Sequence, residues 1–267
     1  MEPSHVIPIS DAQLAFSALL VIISAGVSAV FRLGLVTSLL WGAIRCFVQL
    51  TVMGFLLTWI FATQNPLVVM IVVAVMCGIA SRTATRRTPN VMDFPAFLAF
   101  VSLASSTYLV LVIVSAVIIR ADPWYTPRIA IPIAGMILGN AANGIALSID
   151  RLYAEVRSRR DEVEAFLTLG ATRWEAVQDC VREALRAGMT PAINSLMLVG
   201  LVSIPGMMTG QILGGANPAE AARYQIVVML MISAAVAFGS MMLVGISYIR
   251  LFTRDDALRP ELSTSKH

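Results

Sequence analysis

Between Arg186 and Glu220 the chain carries no charged residue over 33 positions. Other charge-free apolar runs approach or exceed that length. Such runs dictate the fold class. A helix crosses the core of a bilayer in about 20 residues, and in hydrocarbon a helix satisfies its backbone N–H and C=O groups within a single segment. A soluble domain of 267 residues would not be 58% hydrophobic with only 13% charged residues. The expectation is an all-α polytopic membrane protein, a single transmembrane domain over 1–267.

The apolar runs predict seven spans, at approximately 10–31, 37–61, 66–81, 95–119, 129–150, 188–213 and 224–249. The opening MEPSHVIPISDAQ has neither the basic region nor the cleavage site of a signal peptide, so the first run is expected to be a retained span. Arginines alternate between the loops. Arg32, Arg82, Arg86, Arg87, the group from Arg151 to Arg186, and Arg250, Arg254, Arg259 and Lys266 put fifteen basic residues on one side. Arg120, Arg128 and Arg223 put three on the other. The positive-inside rule then places the N-terminus outside and the C-terminus in the cytoplasm. The segment 151–187 and the tail 250–267 are cytoplasmic in that arrangement.

Three absences restrict the chemistry. The only lysine is Lys266, so no P-loop lysine lies in the interior. The only histidines are His5 and His267, which removes histidine triads and zinc-hydrolase motifs. Cys46, Cys77 and Cys180 are too scattered for a metal cluster and read as small apolar residues. The chain therefore has no means of hydrolysing ATP itself and is not expected to be an enzyme. No nucleic-acid partner is expected.

Arg151–Leu185 is the one long polar run. Leu152, Val156, Val163 and Phe166/Leu167 recur at helical spacing, and Trp174, Val177, Val181 and Leu185 form a second stripe. Gly170 suits the left-handed residue that ends a helix. Thr172 with Glu175 has the capping-box spacing. The pattern is helix, break, helix, with an apolar stripe that either folds back on the chain's own spans or docks a soluble partner. The fifth span either runs straight into this segment or bends near Asp150.

The charge-free run after Arg186 would be about 50 Å long as one helix, against a hydrocarbon core of about 30 Å. A break at Pro205-Gly206 is expected, followed by a re-entrant or tilted piece that lines a pathway. Arg45 is the only charge well inside a span. With Gln49 one turn on, it is expected to meet Asn140 and Asn143, in a structural clamp or a substrate contact. Ser105-Ser106-Thr107-Tyr108 is a further candidate lining. Gly135 and Gly139, and Gly206, Gly210 and Gly214, have the spacing that lets helices pack closely, within one chain or across a homodimer seam. Met207 and Met208 are candidate soft-metal ligands, and methionine is equally a filler of apolar gaps.

Glu164-Ala165-Phe166-Leu167-Thr168-Leu169-Gly170-Ala171-Thr172 resembles the coupling motif of ABC-transporter permeases, with Phe166 replacing its second alanine and the downstream Leu-Pro absent. Pro205-Gly206-Met207-Met208-Thr209-Gly210-Gln211, with Gly135–Asn140, Arg45…Gln49-Leu50, Pro218 and Tyr224-Gln225, resembles the FetB-type permease family, which includes plant proteins linked to aluminium tolerance. The resemblance runs from about Leu14 to Arg254. It implies an inner (plasma) membrane permease, a homodimer paired with a separate cytoplasmic ATPase. That partner would use ATP and Mg, and this chain would bind no cofactor. Iron export, as part of metal homeostasis, is the implied function; a nucleotide sugar is an alternative cargo, and a stand-alone secondary transporter an alternative class. Glu162, Glu164, Phe166, Leu167, Gly170, Thr172 and Trp174 would couple to the ATPase. Arg45, Gln49, Asn140, Asn143, Pro205, Gly206, Met207, Met208, Thr209 and Gln211 would line the pathway.

Overall fold

The local chemistry of the chain ends each helix where the sequence offers a cap. In the computed structural model, which describes residues 10–62, 65–86, 96–253 and 255–259, Ser10 and Gln13 form a capping box at the start of α1 (Asp11–Val30). Next come α2 (Val36–Ala62), α3 (Pro66–Arg86) and α4 (Ala96–Val112), the last continuing into a π-helical turn, Ile113–Ile118. Pro127 opens α5 (Pro127–Ser158) at a first-turn position where its missing N–H costs nothing. Arg159 separates α5 from α6 (Arg160–Thr168). Thr172 caps α7 (Arg173–Leu198), α8 covers Gly206–Leu213, and Asn217 with Pro218 opens α9 (Pro218–Arg250). No strand occurs among the described residues. Arg87, Arg254, Lys266, His5, His267 and residues 260–267 of the expected tail lie outside them, as does residue 95 of the expected fourth span.

Among the described residues six helices are long and apolar enough to cross a membrane: α1, α2, α3, α4 with its π turn, α5 and α9. The expected sixth span, 188–213, is two helical pieces. The first is the second half of α7, whose first half is polar. The chain leaves the helix at Val199, six residues before the expected break at Pro205-Gly206. The breaker is Gly200, held at φ +83°, a conformation that favours glycine. Its N–H donates to the Ser203 carbonyl at 2.9 Å, while Leu198 O accepts from Val202 N at 3.0 Å. Pro205 instead caps α8.

The core is built by α3, α4, α5, α7 and α9, which pack on one another, with α5 at the centre. Ile137, Ile145, Ile149, Leu152 and Val156 of α5 are fully buried. Helix α7 runs back along α5. Gly188 faces Gly144 and Ser148 so closely that a methyl group on Gly188 would collide with Ser148 Oγ and come within 2.6 Å of the Gly144 carbonyl. A methyl on Gly144 would meet Val236 Cγ1 of α9 at 2.6 Å. The α5 and α7 backbones therefore meet at one crossing, with side chains of α9 packed against it. By contrast, α1 packs mainly on α2 among the described residues, and both helices leave nearly all their side chains exposed. In a bilayer that surface faces acyl chains or another protein.

Candidate functional site

Two sites lie at opposite ends of α7. The first is the polar end. α5 runs unbroken to Ser158, about 48 Å at 1.5 Å per residue, so the open choice between a straight and a bent fifth span resolves as straight up to Arg159. At the α6–α7 turn, Gly170 sits at φ +89°. Ala171 N donates to Phe166 O at 3.0 Å and Gly170 N to Leu167 O at 3.1 Å, the paired bonds of a Schellman helix end. The capping box forms as expected: Glu175 N donates to Thr172 Oγ1 at 3.3 Å, and Thr172 N donates back to Glu175 Oε2 at 2.8 Å.

Much of the apolar stripe folds back on the chain. Leu152, Val156, Val163, Val177 and Val181 are buried, and Leu167 packs against the same cluster. What remains free is specific. Leu169 is 84% exposed, Trp174 47% and Phe166 45%. A cleft of about 510 Å³ opens between α6 and α7, with Glu162, Phe166, Leu169, Gly170 and Glu175 among its lining residues. Its rim is charged: Glu162 accepts two bonds of 2.7 Å from Arg159, and Arg160 pairs with Glu164 at 2.7 Å. The guanidinium of Arg159 holds the Glu162 carboxyl below the usual carboxylate range. The Thr172 backbone N–H and hydroxyl do the same for Glu175.

A strap with no local signal in the sequence crosses this end. Beyond α9, Leu251, Phe252 and Leu258 are buried, and Thr253 N donates to Ala257 O at 2.8 Å. Arg173, the first residue of α7, pairs with Asp256, donates to Thr253 O at 3.1 Å and lies over the Phe252 ring at 5.7 Å. Trp174 meets Tyr248 edge to face, centroids 5.7 Å apart. The strap ties the end of α9 to the start of α7.

The second site surrounds the broken helix. A cavity of about 240 Å³ is lined by Met136 and Asn140 of α5, Ser195 of α7, Met207 of α8, and Gln225 and Met229 of α9, closed by Pro205 and Gly206. A second cavity of about 240 Å³, almost wholly apolar, takes Met208 and shares Pro205, Gln225 and Met229 as a common wall. Gln225 is 5% exposed, and its Oε1 has no hydrogen-bond partner.

Of the expected pathway residues, Asn140, Pro205, Gly206 and Met207 meet in one cavity and Met208 in its neighbour. Asn143 lies exposed on α5 and lines neither. Thr209 donates to Pro205 O at 3.1 Å and Gln211 is half-buried on α8; neither lines these two cavities. Arg45 and Gln49 are exposed on α2 and make no ion pair or hydrogen bond with described residues. The expected clamp with Asn140 and Asn143 is absent, because α2 touches α5 only sparsely and meets the core through Leu57 and Ile60. Asn140 donates instead to Met136 O at 2.8 Å. Ser106 and Thr107 are buried in the bundle, and Tyr108 donates to Met70 O at 2.7 Å, so this run does not reach the cavity. Gly139, Gly206 and Gly210 have open space around them; close approach belongs to Gly144 and Gly188, which spacing alone did not single out. Gln225, Met136, Met229 and Ser195 complete the cavity. An amide inside an apolar run was the available signal for Gln225.

Long apolar helices around a cavity at a broken helix, with charge gathered at one end, define a multi-pass helical membrane protein. The chain belongs to the UPF0014 family (Uncharacterised protein family), whose model matches residues 11–252. It is 40% identical over 201 residues to UPF0014 membrane protein slr1647 of Synechocystis, covering 75% of this chain and 77% of that one. It is 30% identical over 246 residues to the Escherichia coli protein named "Probable iron export permease protein FetB", covering 91% and 93%. It is 33% identical over 234 residues to Protein ALUMINUM SENSITIVE 3 of Arabidopsis thaliana, covering 88% and 84%. No solved structure matches the chain.

Proposed function

We propose that this chain is the membrane-embedded permease subunit of an ABC-type transporter, itself non-catalytic and driven by a separate cytoplasmic ATPase. The observation that carries this reading is the α6–turn–α7 projection, where Phe166 and Leu169 stay exposed at a cleft of about 510 Å³, and Trp174 stays exposed on α7, while most of the stripe is buried. Apolar side chains on a polar projection favour a protein partner. Glu162, Glu164, Phe166, Leu167, Gly170, Thr172 and Trp174 form or support that surface.

In this reading the second half of α7, the 199–205 break and α8 make one interrupted crossing, the sixth of seven. The N-terminus is then outside and the α6 end in the cytoplasm, within the inner (plasma) membrane. The antiparallel run of α7 along α5 supports it. A second copy of the chain is part of this reading, with the exposed face of α5 at Gly139, Asn140 and Asn143 as the expected seam. The cargo is a metal cation, with iron suggested by the name of the Escherichia coli relative.

The test is co-expression with a P-loop ATPase encoded beside the gene. The two proteins are expected to co-purify. Phe166→Glu and Gly170→Pro are expected to abolish association while leaving membrane insertion intact, and unchanged association with both variants would sink the docking role. Iron(II) is expected to stimulate ATP hydrolysis by the complex in vesicles.

A further inference from the structure

The cavity at the broken helix has a donor set that says more about its ligand than its place in the bundle does. Three thioether side chains, Met136, Met207 and Met229, line one volume of about 240 Å³. Methionines placed as gap-fillers close the space around them; here the space persists beside all three. Gln225 Oε1 is an acceptor with no donor, on a side chain 5% exposed that lines this cavity. The Ser195 hydroxyl donates its proton to the Pro191 carbonyl and one Asn140 amide N–H is given to the Met136 carbonyl, while the oxygens of both side chains keep lone pairs to offer.

No Asp, Glu, Lys or Arg lines this cavity or its neighbour. A neutral site offers nothing to offset a second positive charge. The cost of removing an ion from water grows as the square of its charge, so a divalent ion of equal size would lose about four times as much. Hard monovalent ions seek several oxygens, whereas thioethers select soft ions such as copper(I).

We propose that Met136, Met207, Met229 and Gln225 form a binding site for a soft monovalent cation of the copper(I) class, a cargo additional to iron. The proposal rests on the permease reading for its transport consequence, while binding itself is measured without an ATPase. Silver(I), a redox-inert soft monovalent ion, is the probe.

Full-length protein in detergent, carrying Cys46→Ser to remove the exposed thiol, would be loaded with silver(I), desalted and analysed for metal per chain. One tightly held ion per chain is expected, with sulfur neighbours at thioether rather than thiolate distance by X-ray absorption. The Met136→Leu/Met207→Leu/Met229→Leu variant is expected to lose it, and Gln225→Leu to bind about tenfold more weakly. Met229→Leu alone serves where the triple variant misfolds, and is expected to lose the ion's third sulfur neighbour. Equal retention by these variants, or iron(II) retained where silver(I) is not, would overturn the assignment. Silver binding without ATPase association would leave the site standing and remove the permease reading; ATPase association without silver binding would do the reverse.

Discussion

At the scale of single residues, Gly188 is the position least able to change. Its missing side chain is what lets α7 reach the α5 backbone, and Ser148 Oγ and the Gly144 carbonyl fill the space a methyl would need. Gly188→Ala is expected to cost about 1–3 kcal/mol or more through forced displacement, read as lower thermal stability of the purified protein. Gly139→Ala, with nothing within 4 Å, is expected to be neutral in the isolated chain. The contrast also shows what spacing conceals. Gly135 and Gly139 carry the four-residue repeat, yet the contact falls on Gly144 and Gly188, because close approach needs two small residues at the same depth on different helices. Arg45 shows a related limit. The sequence marks it as costly in lipid, but the partner that would relieve it depends on how α2 docks, and α2 meets the core two turns or more further along.

At the scale of elements, the α6–α7 turn was legible because its signals are local. Gly170 has the left-handed backbone and Thr172–Glu175 the reciprocal bonds that the sequence predicts. Both Glu162 and Glu175 have carboxyls held below the usual range. A depressed carboxylate stabilises the fold above its unfolded pKa and loses that contribution as pH falls through the folded value. Exchange of the amides at Thr172–Ala176 is therefore expected to accelerate once the pH drops below about 4, the ordinary glutamate range. Glu175→Gln is expected to flatten that dependence. The break was only partly legible: proline is a familiar breaker, so Pro205 attracted the assignment, whereas Gly200 ends the helix and Pro205 begins the next. The strap over α7 was not legible, since nothing local links Arg173 to Asp256. Asp256→Ala is expected to cost less than about 1 kcal/mol, as exposed ion pairs do. Arg173→Ala is expected to cost more, because it also releases Thr253 and uncovers Phe252. Hydrogen exchange over 248–258 distinguishes the two.

For the molecule as a whole, the apolar runs fixed six long helices with bounds close to those expected, since the transition from hydrocarbon to water is read directly from charge. The α6 end is expected to face the cytoplasm. A cysteine at the exposed Leu169 should react with an impermeant thiol reagent in inside-out vesicles and not in intact cells; labelling of intact cells would invert the arrangement. The crossing of α7 with α5 at Gly188 has a mechanical consequence. A contact made by backbone rather than by flexible side chains resists sliding and leaves rotation as the soft motion, so Gly188 acts as a fulcrum. From it the loaded arm to Trp174 is about 21 Å and the arm to Leu198 about 15 Å. A sideways shift imposed at the charged end would reappear at the cavity in the opposite sense, at roughly seven-tenths of its amplitude.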